Sequence, residues 1–130
     1  MRISFKEIFD ISNIPTIELK INNNKYLFLV DTGSDMSYIS TEIIEKENFE
    51  LIGVTKFIDF SSTIRYIRTY SIDFFIRNKK FNSIFGENIC CDSFKELESL
   101  YNIKLYGIIG SKTMKEIKMT INFKEMYINV

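Results

Sequence analysis

The residues best suited to chemistry form a carboxylate-bearing turn at the end of an apolar strand, Phe28-Leu29-Val30-Asp31-Thr32-Gly33-Ser34-Asp35. Val30 and its neighbours bury the approach, and Gly33 opens a backbone path closed to most residues. Asp31 is therefore expected to be held rigidly and partly out of water. A carboxylate so placed can serve as a general acid or base, although Asp, Thr and Ser are also ordinary turn formers. The chain has no histidine, which removes Ser-His-Asp and Cys-His catalysis and nearly all zinc and copper sites. Chemistry must then run on carboxylates, hydroxyls, lysine or backbone groups. Asp31 with Asp35 invites a calcium or magnesium site, but two acids in one turn without further clustered acids make a poor cage. Neither a metal nor a cofactor is expected. Cys90 and Cys91 are the only cysteines; being adjacent, they would form a strained bond, and they read as free thiols.

The elements that must position Asp31 are mostly strands. Thr16–Ile21 alternates apolar and polar residues, Asn22–Lys25 is a turn, and Tyr26–Val30 returns as an apolar strand, so a hairpin leads into the acidic turn. Thr41–Glu47 predicts a short helix capped by Thr41. Lys56–Phe60 and Ile64–Tyr70 flank Ser61-Ser62-Thr63, and Ser71–Ile76 and Phe81–Phe85 follow across an Arg77–Lys80 turn, a run of antiparallel strands. Ser93–Leu100 reads as a helix with Phe94, Leu97 and Leu100 on one packing face. A second apolar run ending in glycine, Leu105-Tyr106-Gly107-Ile108-Ile109-Gly110-Ser111, precedes a helix at Lys112–Ile117 and strands at Met119–Phe123 and Met126–Val130.

Asp31-Thr32-Gly33-Ser34 behind apolar residues, followed much later by Ile108-Ile109-Gly110 with its helix and strand, resembles the retropepsin-like aspartic proteases, the single-domain relatives of pepsin. The resemblance spans about Thr16 to Ile128. It implies a mainly β, closed-barrel acid-protease fold with one or two short helices. It also implies hydrolysis of peptide bonds without a metal, by two carboxylates that share one proton and act as base and acid; aspartic proteases are the standing example of such a pair. The chain holds one Asp-Thr-Gly, so the second Asp31 must come from a second copy, and a homodimer is part of the expected site. Carried over by position, Asp31 is the catalytic carboxylate, Gly33 sets the backbone, Thr32 bonds across the two-fold axis and Ser34 is positioned to hydrogen-bond a carboxylate oxygen. Asp35 contacts substrate backbone or braces the turn. Ile108, Ile109 and Gly110 pack behind the turn and wall the substrate pocket. Phe60, Ser61 and Ser62 sit at the flap, the hairpin that closes over substrate.

Two departures from the retroviral pattern stand out. Ser111 occupies the position of an arginine that usually pairs with the acid after the motif, so that ion pair is lost or Lys112 replaces it. The flap stretch Phe57–Tyr66 has no glycine. A catalytically silent dimeric domain that binds peptides or holds a scaffold together is the alternative to the protease.

Length and composition bound the rest. At 130 residues the chain is long enough for one core, read as an N-terminal arm (1–15) and a protease domain (16–130) that meet at Pro15. The arm is expected to add a strand or an amphipathic turn, and the C-terminal strand either interleaves with a partner or completes its own sheet. Seventeen basic residues balance 17 acidic ones, so no strong field draws the chain to nucleic acid or to a membrane surface. Charges within Met1–Asp10 interrupt what a secretory signal would need, and no segment approaches the roughly 20 apolar residues of a membrane span. A cytoplasmic protein acting on a peptide or protein substrate is the expectation.

Overall fold

The hairpin ahead of Asp31 forms as β2 (Thr16–Ile21) and β3 (Asn24–Val30), with Ile21 opposite Asn24. Only Asn22 and Asn23 connect the strands, both left-handed at φ 48° and 69°. That is the two-residue turn whose twist suits a hairpin, and asparagine tolerates it better than most residues. The computed structural model describes residues 1–58, 61–88 and 92–130, apart from the side chains of Phe57 and Ile58. Preceding the hairpin are β1 (Arg2–Ser4) and α1 (Lys6–Ser12). After it come β4 (Ser37–Ser40), α2 (Thr41–Glu47), β5 (Leu51–Ile58), β6 (Ile64–Ile76) and β7 (Lys79–Asn88). The chain ends with α3 (Asp92–Tyr101), β8 (Gly107–Ile109), α4 (Ser111–Glu116), β9 (Thr120–Asn122) and β10 (Tyr127–Asn129).

The fold is mainly β. Strands run in the order β2-β3-β8-β4-β7-β6-β5, and β2 also pairs with β6 through Lys20 and Phe75, closing six strands into a barrel. Phe28, Phe74 and Phe85 are fully buried inside it, with edge-to-face ring contacts at 5.8 to 5.9 Å. A smaller sheet, β1-β10-β9, draws both chain ends together, with Ile3 opposite Ile128. The segment read as an N-terminal arm supplies β1 and α1 and buries Phe5 in the common core. The C-terminal strand pairs within its own chain, on both sides.

Several boundaries differ from the sequence pattern. The stretches Ile64–Tyr70 and Ser71–Ile76 are one strand, because Ser71 keeps register opposite Ile84 and the inward positions Tyr70, Ile72, Phe74 and Ile76 alternate without a break. The cap of α2 is Ser40, whose extended backbone (ψ 148°) precedes the first helical residue, and not Thr41. Thr41 instead donates through Oγ1 to Glu87 Oε2 at 3.2 Å. Helix α4 begins at Ser111, one residue earlier than the pattern suggests. On α3, Phe94 and Leu97 are half-buried, but Leu100 is 65% exposed, so the expected packing face is incomplete.

Candidate active site

The site is built where two chain segments cross. β8 lies between β3, to which it is parallel, and β4, to which it is antiparallel. The chain leaves β3 at Val30, loops over the end of β8 through Asp31–Met36 and comes back as β4. Asp31 is thus fixed at the mouth of the barrel by backbone bonds from both sides. Its N–H donates to Ile109 O at 3.0 Å, and its own carbonyl accepts from Ser34 N–H at 3.1 Å. The first amides of α4, which have no partner inside the helix, bond to the same turn: Ser111 N–H to Ser34 O at 2.7 Å and Lys112 N–H to Asp35 O at 3.2 Å.

The Asp31 side chain is half-buried, and Oδ1 accepts the Gly33 N–H at 2.9 Å. Among the described residues nothing else in this chain binds the carboxylate. Gly33 fills a different role from the one expected. No glycine has a positive φ; a Cβ at Gly33 would instead lie 3.2 Å from Asp31 Oδ1, so glycine lets the amide approach the carboxylate closely. Ser34 does not reach an Asp31 carboxylate oxygen either. Its Oγ donates to Met36 O at 2.7 Å and stiffens the turn from inside. Thr32 and Asp35 are exposed. Lys112 does not replace the missing arginine through its side chain: among the described residues no ion pair joins it to Asp35, and only their backbones bond.

Behind the turn, Ile109 is 1% exposed, Gly110 is buried and Ile108 is half-buried. Gly110 has no room for a side chain. A Cβ there would meet Met36 O at 2.5 Å, Met36 C at 2.7 Å and Ser34 O at 2.8 Å, all of them backbone atoms. The hydrophobic-hydrophobic-glycine pattern therefore marks the point where the two crossing segments touch.

Beyond β7, which pairs with β6 only from Thr69 onward, β5 and Ile64–Arg68 project as a two-stranded hairpin. Its apolar side chains Val54, Ile64 and Tyr66 are 61%, 50% and 70% exposed. Cross-strand register and alternation put them on the β6 face that continues inward as Tyr70 and Ile72. In the connection, Ser62 takes the left-handed conformation (φ 61°) that glycine supplies more cheaply, and Ser61 and Thr63 hydroxyls lie 3.0 Å apart. Phe60, Cys90 and Cys91 lie outside the described residues. At the hairpin's base Ile67 and the Tyr38 ring meet over Gly86, where a Cβ would be 2.9 Å from one and 3.2 Å from the other. Burial raises the Tyr38 phenol above its ordinary range, and the neighbouring Asp35 charge adds to this.

One carboxylate thus sits in a backbone-bonded turn with Ile108-Ile109-Gly110 packed behind it, in a chain that also projects a two-stranded hairpin. The retroviral aspartyl protease family matches the chain over residues 12–122. The chain belongs to that family. No curated protein matches it. Membership of the retroviral aspartyl protease family supports aspartic protease chemistry in general. Among the described residues no cluster of three or more acidic or cysteine side chains could hold a metal ion.

Three buried hydroxyls behind the turn escaped the motif reading of this retroviral aspartyl protease relative. Ser37 Oγ accepts the Gly110 N–H at 2.9 Å and lies 2.6 Å from Thr113 Oγ1, which lies 2.9 Å from Ser83 Oγ. Two of them carry a signal in the sequence, a hydroxyl where an alternating pattern calls for an apolar residue: Ser37 beside Ile39, and Ser83 between Phe81 and Phe85.

Proposed function

We propose that the protein is an aspartic endopeptidase active as a homodimer, in which the Asp31 carboxylates of two copies share one proton across the two-fold axis. The observation that carries this is the half-buried Asp31, backbone-bonded to Ile109 and Ser34 while its carboxylate accepts, among the described residues of its own chain, only the Gly33 amide. A single carboxylate cannot supply both the base that activates water and the acid that protonates the departing amine. Two equivalent ones can, because like charges at short range hold one proton between them. In this reading the exposed Thr32 braces the partner's turn, and Asp35 and Ile108 border the substrate. The substrate is an extended peptide segment lying as a strand between the turn and the projecting hairpin, whose apolar face bearing Val54, Ile64 and Tyr66 is free to cover it.

The absence of an Asp35–Lys112 ion pair among the described residues, together with a serine at the strained turn of the hairpin, also suits a second reading: a dimeric peptide-binding domain without catalysis. Cleavage of a diverse peptide mixture at about pH 5 and about pH 7, read by mass spectrometry beside Asp31→Asn, separates the two. Cuts made by the wild type and missing from the variant support the protease. A folded wild-type dimer that retains peptides uncut supports the binding domain.

A further inference from the structure

The buried hydroxyls behind the turn form a single file that runs from an amide to a surface carboxylate. Ser37 and Thr113 are each 1% exposed and Ser83 is 5% exposed, while Glu116 on α4 is exposed and accepts from Ser83 Oγ at 2.8 Å through Oε2. The proton order follows from the two ends. A carboxylate can only accept, so Ser83 spends its hydrogen on Glu116 and must accept from Thr113. Thr113, its hydrogen used, accepts from Ser37. Ser37 then offers a lone pair to the Gly110 N–H, whose donation at 2.9 Å is fixed by the backbone. Every hydroxyl donates once and accepts once along this file, and such chains reinforce one another in a low-dielectric interior.

We infer that Glu116 is a positioning residue, whose carboxylate sets the direction of the Ser83–Thr113–Ser37 file and so anchors the Gly110 amide beneath the turn that carries Asp31. The link to Asp31 is short: the residue before Gly110 accepts the Asp31 N–H, and the residue after it donates to Ser34 O. This inference rests on the protease reading only for its catalytic consequence; the anchoring stands on geometry alone.

Charge and acceptor can be separated at position 116. Glu116→Gln keeps an acceptor oxygen and preserves the order. Glu116→Ala removes the terminal acceptor. Glu116→Lys supplies only donors and reverses the file, so that Ser37 accepts from both Thr113 and Gly110 and its own hydrogen is left buried without an acceptor among the described residues. The measurement is amide hydrogen exchange at Gly110 relative to Leu19 in the β2–β3 core, with no substrate present. Glu45→Lys, an exposed change on α2, controls for net charge. The expected order is wild type equal to Gln, then Ala, then Lys, with Gly110 exchanging about tenfold faster in the Lys variant, as the cost of one stranded buried hydroxyl requires. In a cleavage-active protein kcat falls in the same order while KM changes little. Equal exchange in the Gln and Lys variants, or Gly110 tracking Leu19 in all of them, overturns the inference. If wild type cuts nothing yet the exchange order holds, the protease reading fails and the anchor survives.

Discussion

Replacing Gly110 by alanine should disrupt the crossing that holds Asp31, and its cost can be worked from the geometry. The added Cβ would sit 2.5 Å from Met36 O, about 0.9 Å short of ordinary contact at 3.4 Å, with Met36 C and Ser34 O almost as close. All three belong to backbone, so no side chain can rotate away. Relief requires the Ser34–Met36 segment to lift off β8, which stretches the 2.7 Å Ser111–Ser34 bond and the Gly110–Ser37 bond. Overpacking of this kind costs about 1 to 3 kcal/mol, and each weakened buried hydrogen bond adds about 1 kcal/mol. A loss of about 3 kcal/mol is expected, equivalent to a fall of about 10 °C in Tm for a chain of this size. Urea unfolding followed by circular dichroism at fixed protein concentration measures it. Gly53→Ala is the internal control: its Cβ would meet only Thr69 Oγ1, at 3.7 Å, and stability should change by less than about 1 kcal/mol. If Gly110→Ala proves as mild as Gly53→Ala, the close crossing does not constrain the turn and the reasoning fails.

Ser62→Gly should raise stability by up to about 1 kcal/mol, because it removes the left-handed strain at φ 61° in the connection of the projecting hairpin; thermal unfolding that shows no gain argues against strain there. Tyr26→Phe should cost about 1 to 2 kcal/mol at neutral pH, since the buried Tyr26 hydroxyl donates to Glu47 Oε1 at 2.7 Å. Burial alone pushes the Glu47 carboxyl up, but hydrogen bonds from Tyr26 and Asn24 outweigh it and hold it below its ordinary range. A depressed folded value contributes stability above the unfolded carboxylate range and loses it as pH falls through the folded value. The gap between wild type and Tyr26→Phe should therefore shrink in acid, and a gap that widens there would refute the assignment.

The path to Asp31 was legible in residue order wherever the signal was local. A turn read at Asn22–Lys25 between two β patterns marked the hairpin, which the structure tightens to Asn22-Asn23, and Ile108-Ile109-Gly110 marked the second leg of the crossing. Gly33 shows where local reasoning misleads. Its presence in a turn suggests a left-handed backbone, yet the requirement is the approach of its amide to Asp31 Oδ1, a contact between groups that composition cannot orient. Ser34 shows the same limit, since two acceptors, an Asp31 oxygen and Met36 O, lie within reach of the sequence and only the folded turn selects one. The Ser37–Thr113–Ser83 file draws on three elements distant in the chain. Ser37 and Ser83 are each visible as a polar residue in an apolar strand pattern, but Thr113 on α4 is not, and a single sequence carries no record of which hydroxyl meets which. The split assigned to β6 at Ser71 failed for a simpler reason: a serine is a common turn residue, and here it faces outward on an unbroken strand.

The central claim is that one active site takes an Asp31 from each of two copies. Mixing wild-type protein with increasing amounts of Asp31→Asn at constant wild-type concentration, after equilibration, tests it most directly through the rate of peptide cleavage. Random pairing leaves progressively fewer dimers with two intact carboxylates, so an equal amount of variant should reduce the rate to roughly half. A rate that stays constant across the titration would mean that each chain carries a complete site, and the shared pair of Asp31 carboxylates would be wrong.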